Sequence, residues 1–112
     1  MNSKAKGNAG EREFAAYLLE NGISTAKREI QYYGGGIAWP DVSGLPGCHV
    51  EVKRVEKLNL DAAMAQSIKD ADGKAAPIVA FRKNRKPWMI VMLADDWLDL
   101  YKKPSGSGFN KA

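Results

Sequence analysis

The chain is 112 residues long, which leaves room for one domain and one hydrophobic core and argues against a two-domain arrangement. Hydrophobic residues make up 45% and charged residues 27%, the balance of an ordinary globular domain and not that of a disordered or membrane-embedded chain. A net charge of +4 inclines it toward polyanionic partners, and the single cysteine, Cys48, excludes an intramolecular disulfide or a multi-cysteine zinc site.

Residues 1–10 are polar and lysine-bearing, unlike an export signal, and no apolar run reaches membrane-spanning length, so a cytoplasmic setting is expected. The spacing of Phe14, Ala15 and Leu18 predicts a helix over residues 8–21, stopped by Gly22. Asn8 and Glu11 stand three apart, which fits an N-cap with its capping-box acid and gives Glu11 a purely structural explanation. Residues 23–33 suggest an irregular or edge strand, after which Gly34, Gly35 and Gly36 break regular structure and predict a mobile loop.

Residues 39–45 and 48–55 flank Pro46 and Gly47, the layout of two strands joined by a tight hairpin. A second helix is expected over 59–71, with Leu60, Ala63, Met64, Ser67, Ile68 and Ala71 on one face and Gly73 ending it. Two further strands, 78–81 and 88–93, enclose the basic connector Arg82-Lys83-Asn84-Arg85-Lys86-Pro87. A short helix over 95–101, capped by Asp95 or Asp96, closes a domain spanning 1–104, and the Gly- and Ser-rich residues 105–112 read as a flexible tail.

Strand alternation puts His49, Glu51 and Lys53 on one face and Val50 and Val52 on the other. The hairpin then brings Asp41, on the partner strand, level with Glu51 and Lys53. Phosphodiester hydrolysis needs an activated water and relief of the charge that builds on the phosphate, and a divalent cation supplies both. Magnesium binds through one or two carboxylates and keeps waters and substrate oxygens as its other ligands, so Asp41 with Glu51 suffices; Lys53 then orients the water or holds the phosphate.

Pro40-Asp41 and Glu51-Val52-Lys53 match the PD-(D/E)XK nuclease signature. Upstream, Lys6-Gly7-Asn8-Ala9-Gly10-Glu11-Arg12-Glu13 resembles the K-G-x-x-x-E-R-E opening helix of archaeal-type Holliday-junction resolvases and related small phage resolvases. With Arg28, Asp41, Glu51 and Lys53 following in the family's order, the resemblance covers roughly the first seventy residues; VRR-type nuclease modules of phage share the same core. It implies an α/β fold with a restriction-endonuclease-like core, a central mixed β-sheet flanked by helices. It also implies a metal-dependent endodeoxyribonuclease that leaves 5′-phosphate and 3′-hydroxyl ends, using Mg2+ with Mn2+ as a substitute. Glu11 joins Asp41 and Glu51 as a metal-site acid, Lys53 positions the nucleophile, and Gln66 matches a glutamine often found on the helix after E-x-K.

Branched DNA, a four-way junction, is the expected substrate, and its two equivalent strands call for a twofold homodimer, with Met89, Val91 and Trp97 as interface candidates. Arg12 beside the metal site, Lys6, Arg28, Arg54 and the connector cations Arg82, Lys83, Arg85 and Lys86 are the candidate DNA contacts. The connector reads equally as a solvated turn. Glu13 reads as structural, His49 as a packing or turn residue, Cys48 as a small buried hydrophobe, and Trp39, Trp88 and Trp97 as core or interface aromatics. A flap or duplex nicking enzyme and a non-catalytic DNA-binding module on the same fold are the alternatives; the complete acid and lysine positions argue against the latter.

Overall fold

The first helix, α1 (Ser3–Glu20), ends where Gly22 predicts. Gly22 takes a φ of 91°, and the N–H groups of Gly22 and Ile23 donate back to the carbonyls of Leu19 (3.1 Å) and Leu18 (3.0 Å). These two bonds satisfy carbonyls that the helix end leaves open, at a φ that favours glycine. The computed structural model describes residues 3–29 and 40–103, with side chains from residue 9 onward. The glycine triplet, Trp39, the Lys6 side chain and residues 105–112 lie outside the described residues.

At its start α1 departs from expectation, beginning at Ser3 and not at residue 8. Lys4, Ala5 and Lys6 are good helix formers and carry the helix back past Asn8. Asn8 is therefore interior, not an N-cap, and the capping-box explanation of Glu11 falls with it.

Among the described residues the strands are β1 (Lys27–Arg28), β2 (Val42–Ser43), β3 (Cys48–Arg54), β4 (Ala76–Arg82) and β5 (Met89–Met92), in the order β1-β2-β3-β4-β5. The central pair β3 and β4 is parallel and every other pair is antiparallel, so the sheet is mixed. The parallel pair requires a crossover, which α2 (Leu60–Ala71) supplies. Asn59 caps α2 by accepting the Ala62 N–H at 3.1 Å, and Asp72 and Gly73, both at positive φ, end it.

β3 alternates as its sequence predicts. Val50 and Val52, with Ile78 and Ala80 of β4, pack with Phe14 and Ala15 of α1 in the main core. Trp88 lies against this core, its ring 4.8 Å from that of Phe14. The opposite face of β3 meets α2, whose buried residues are the small ones, Ala63, Ser67 and Ala71. Small side chains let the helix approach closely, and the Ser67 hydroxyl donates to the strand carbonyls of His49 (3.2 Å) and Ile78 (3.1 Å). Leu60 and Ile68, expected on the inward stripe, flank this contact and are exposed.

The last helix, α3 (Ala94–Tyr101), has no side-chain cap: Leu93 occupies the N-cap position, and Asp95 and Asp96 fall in the first turn, where they complement the helix dipole. No residue of α3 is buried. Among the described residues, no helix is long and apolar enough to cross a membrane.

Candidate active site

Asp41 lies just before β2 and is pinned against β3. Its N–H donates to the Val50 carbonyl at 2.9 Å, its carbonyl accepts the Glu29 N–H at 3.0 Å, and its Oδ2 accepts the Val52 N–H at 2.8 Å. Glu51, between Val50 and Val52, is 7% exposed and its carboxyl lies within hydrogen-bonding reach of that of Asp41. The register thus delivers the convergence that strand alternation predicts. Lys53, two residues on, is near enough to favour the ionised form of both acids.

Glu11 reaches the group from α1. Its Oε1 is 3.4 Å from Arg28 Nε on β1, and the charge of Asp41 acts on it. Burial, then Asp41, raises the Glu11 carboxyl above its ordinary value, while Arg28 and Arg12 oppose the rise. Burial likewise raises Asp41 against the pull of the Val52 N–H, the Glu51 hydrogen bond, Lys53 and His49. Glu51 is affected most: burial, with the charges of Asp41 and Asp70, pushes it up to about 8. Several acids that resist ionisation in one place form a site that a cation would relieve.

Two members of this group were not assigned to it from sequence. His49 Nε2 lies 3.3 Å from Glu51 Oε1, and burial lowers the imidazole's pKa, leaving it neutral near neutral pH. Asp70, near the end of α2, faces the same point, and His49, Glu51 and Asp70 place ligand atoms within 4.8 Å of one another. Gln66 is exposed and one helical turn before Asp70, to whose Oδ2 its amide nitrogen donates at 2.7 Å. The sequence carries a signal for both in retrospect: H-x-E-x-K on one strand face and Q-x-x-x-D on the helix that crosses over it.

The candidate DNA contacts divide. Arg54 and Arg82 both turn onto Glu13 of α1, Arg54 Nε at 3.3 Å from a Glu13 oxygen and Arg82 through Nη1. Arg82 Nε also donates to the Lys86 carbonyl at 2.6 Å. These two arginines therefore tie α1 to the ends of β3 and β4, which gives Glu13 the structural place expected of it. Arg12, Lys83, Arg85 and Lys86 are exposed. Lys53 is level with Phe81 in the parallel pair, so the β4–β5 turn leaves the sheet at the end toward which Lys53 lies. Beside Lys53 a cleft of about 350 Å³ runs between β3 and α2, lined by Lys57, Asn59, Ala62 and Gln66 among others.

The architecture is an α/β fold of the restriction-endonuclease-like type, a mixed five-stranded sheet with helices packed on it, as the PD-(D/E)XK resemblance implied. Among solved structures the chain is similar to Hjc of Archaeoglobus fulgidus, described as a Holliday junction resolvase from an archaeal hyperthermophile. The TM-score is 0.55 at 22% identity, over 77% of this chain and 76% of that one. At this identity the likeness establishes the fold. Neither a family model nor a curated protein sequence matches the chain.

Proposed function

We propose that the protein is a metal-dependent endodeoxyribonuclease acting on branched DNA, a resolvase of four-way junctions. The observation that carries this reading is the Asp41 carboxylate held by the Val52 N–H beside buried Glu51, with Lys53 on the same strand, in a fold shared with a resolvase. Asp41 and Glu51 are the direct ligands of a divalent cation and Glu11 completes the acidic group. Hard carboxylate oxygens, crowded until their protons are retained, suit Mg2+, with Mn2+ as a substitute. Such a cation, when bound, supplies a water of lowered pKa and offsets charge on the scissile phosphate.

The chain's own groups do the rest. Lys53 orients the attacking water or holds a phosphate oxygen. Arg28 keeps Glu11 turned toward Asp41, and Gln66 acts through Asp70. Lys83, Arg85, Lys86 and Arg12, with Lys6, hold the DNA backbone without reading sequence. Two strands of a junction must be cut symmetrically, and one small site cuts one, so the working unit is a twofold homodimer. Exposed Met89 on β5, with half-buried Val91 on the same side of the strand, and exposed Trp97 and Leu98 on α3 are the candidate contact residues.

The test is cleavage of matched four-way, flap and linear DNA with Mg2+ by wild type, Asp41→Asn, Glu51→Gln and Lys53→Ala. Junction cutting by wild type alone supports the proposal. Equal cutting by all four proteins rejects the site, cutting of flaps or duplex without junction preference rejects the substrate, and tight binding without cutting in Mg2+ or Mn2+ rejects the chemistry.

A further inference from the structure

His49, Glu51 and Asp70 form a donor set different from the one that Asp41 completes. They come from β3 and from α2, on the face of the sheet away from the main core, and two of the three are more than nine-tenths buried. Ligands about 2.1 Å from one ion stand about 3 Å apart when adjacent and about 4.2 Å when opposite. His49 Nε2 and Glu51 Oε1 are at 3.3 Å, and the whole set lies within 4.8 Å, so closure on an ion needs only small side-chain rotations.

Asp70 is held for the purpose from outside. The Gln66 amide donates to its Oδ2 at 2.7 Å, and the Ser67 hydroxyl fixes α2 to the carbonyl of His49 itself. Ligand, supporting amide and backbone anchor thus fall within five residues of one helix, the arrangement by which outer partners orient a metal ligand.

We infer that His49, Glu51 and Asp70 bind a second divalent cation, with the Glu51 carboxylate bridging it to the ion held by Asp41. The imidazole decides which ion. Mg2+ strongly prefers oxygen, whereas Mn2+ and later first-row ions accept nitrogen, so this subsite selects Mn2+ over Mg2+ while the Asp41 subsite takes either. Gln66 is then a positioning residue of the second subsite. The inference rests on the proposed function for the first ion alone.

The experiment counts ions on the full chain with no DNA present. Mn2+ is titrated and followed by the electron paramagnetic resonance of the free ion, and bound Mn2+ is examined by electron spin echo envelope modulation for imidazole nitrogen. Wild type is expected to bind two Mn2+ per chain with a nitrogen signal, and excess Mg2+ to displace only one. His49→Gln and Asp70→Asn should each bind one ion with no nitrogen signal. Asp41→Asn should retain the signal. Because His49 is buried, the exposed variant Gln66→Ala serves as the second probe, with second-site affinity lowered roughly 10-fold. Two ions without the nitrogen signal, or two retained in folded His49→Gln, overturn the inference. A single ion that Asp41→Asn abolishes overturns it and leaves the proposed function standing, and no bound ion at all overturns both.

Discussion

Asp41 Oδ2 accepts the backbone N–H of Val52 at 2.8 Å, so a side chain assigned to metal binding is also a rung between the hairpin strands. Fold and site are joined at this bond, and two substitutions separate them. Asp41→Asn keeps an oxygen for the N–H while removing the charge, and is expected to melt no lower than the metal-free wild type yet lose cleavage by roughly 100-fold or more. Asp41→Ala leaves the part-buried N–H open and should cost about 1–3 kcal/mol in addition. Urea denaturation beside junction cleavage checks the pair; equal stability of the two variants would show that the rung does not support the fold.

The raised acids make the metal-free protein sensitive to alkali. Glu51 titrates at about 8 in the fold against an ordinary value of 4.5, so between these values the folded state keeps a proton that the unfolded chain has released. Stability therefore falls as pH rises through that window, by about 1.4 kcal/mol per unit for one such proton, and the penalty is complete above the folded value. Asp41 and Glu11, also raised, add the same sign. His49, lowered from 6.5, works the other way only between its folded value and 6.5, so the Glu51 decline runs unopposed by it from about 6.5 to about 8. Thermal melts in chelator should show this slope, Glu51→Gln should flatten it, and added Mn2+ should restore stability most at the alkaline end. A Glu51→Gln profile parallel to wild type would contradict it.

Much of this site could be seen in the residues before the fold was known, for reasons that are local. The period of two along residues 49–53 sorts Glu51 and Lys53 from Val50 and Val52, and the Pro46-Gly47 turn limits where Asp41 can lie. Asp70 escaped because its distance from Glu51 is set by how closely α2 settles on the sheet, which depends on the small residues Ala63, Ser67 and Ala71. His49 has ordinary packing uses and gains its meaning only from Asp70. The fates of Arg54 and Arg82 depend on Glu13, more than 40 positions from the first and nearly 70 from the second, a pairing that no short-range pattern contains.

Gly10 presents a case where helix propensity and packing have opposite signs. In an exposed helix, Gly→Ala gains about 1 kcal/mol. Here a Cβ on Gly10 would stand 2.6 Å from Arg54 Cβ, and Arg54 is held in place by Glu13. Gly10→Ala is therefore expected to destabilise by about 1–3 kcal/mol and, because Glu11 is the next residue, to reduce cleavage more than the stability loss explains. Chemical denaturation reads the sign directly, and a stabilised variant would mean that α1 does not press on β3 at this point.

The exposed apolar residues of β5 and α3 give a prediction about assembly. β5 is an edge strand with Met89 and Ile90 exposed, and on α3 Trp97 stacks on Tyr101 with ring centroids 5.4 Å apart. Among the described residues no strand lies beyond β5, and a twofold contact would cover its apolar edge in both copies at once. Sedimentation equilibrium should find a dimer for wild type and a monomer for the double variant Met89→Lys, Leu98→Glu, whose circular dichroism stays unchanged. A wild type that remains monomeric at high micromolar concentration rejects this contact.

The β4–β5 turn allows cations proposed to hold DNA to be told from one that holds the fold. Lys83, Arg85 and Lys86 are exposed, whereas Arg82 is bonded to Glu13 and to the Lys86 carbonyl. Taking one cation away from a DNA phosphate lowers the slope of log affinity against log salt by about 0.9, so the triple alanine variant at 83, 85 and 86 should lose up to about three units of slope. Its melting temperature should stay at the wild-type value. Arg82→Ala should do the reverse, lowering stability by removing a bridge among α1, β4 and the turn while leaving the salt slope nearly intact. Fluorescence anisotropy with a labelled junction across a salt series, paired with thermal melts, assigns each residue to one role, and a triple variant with wild-type slope places the DNA on another face of the sheet.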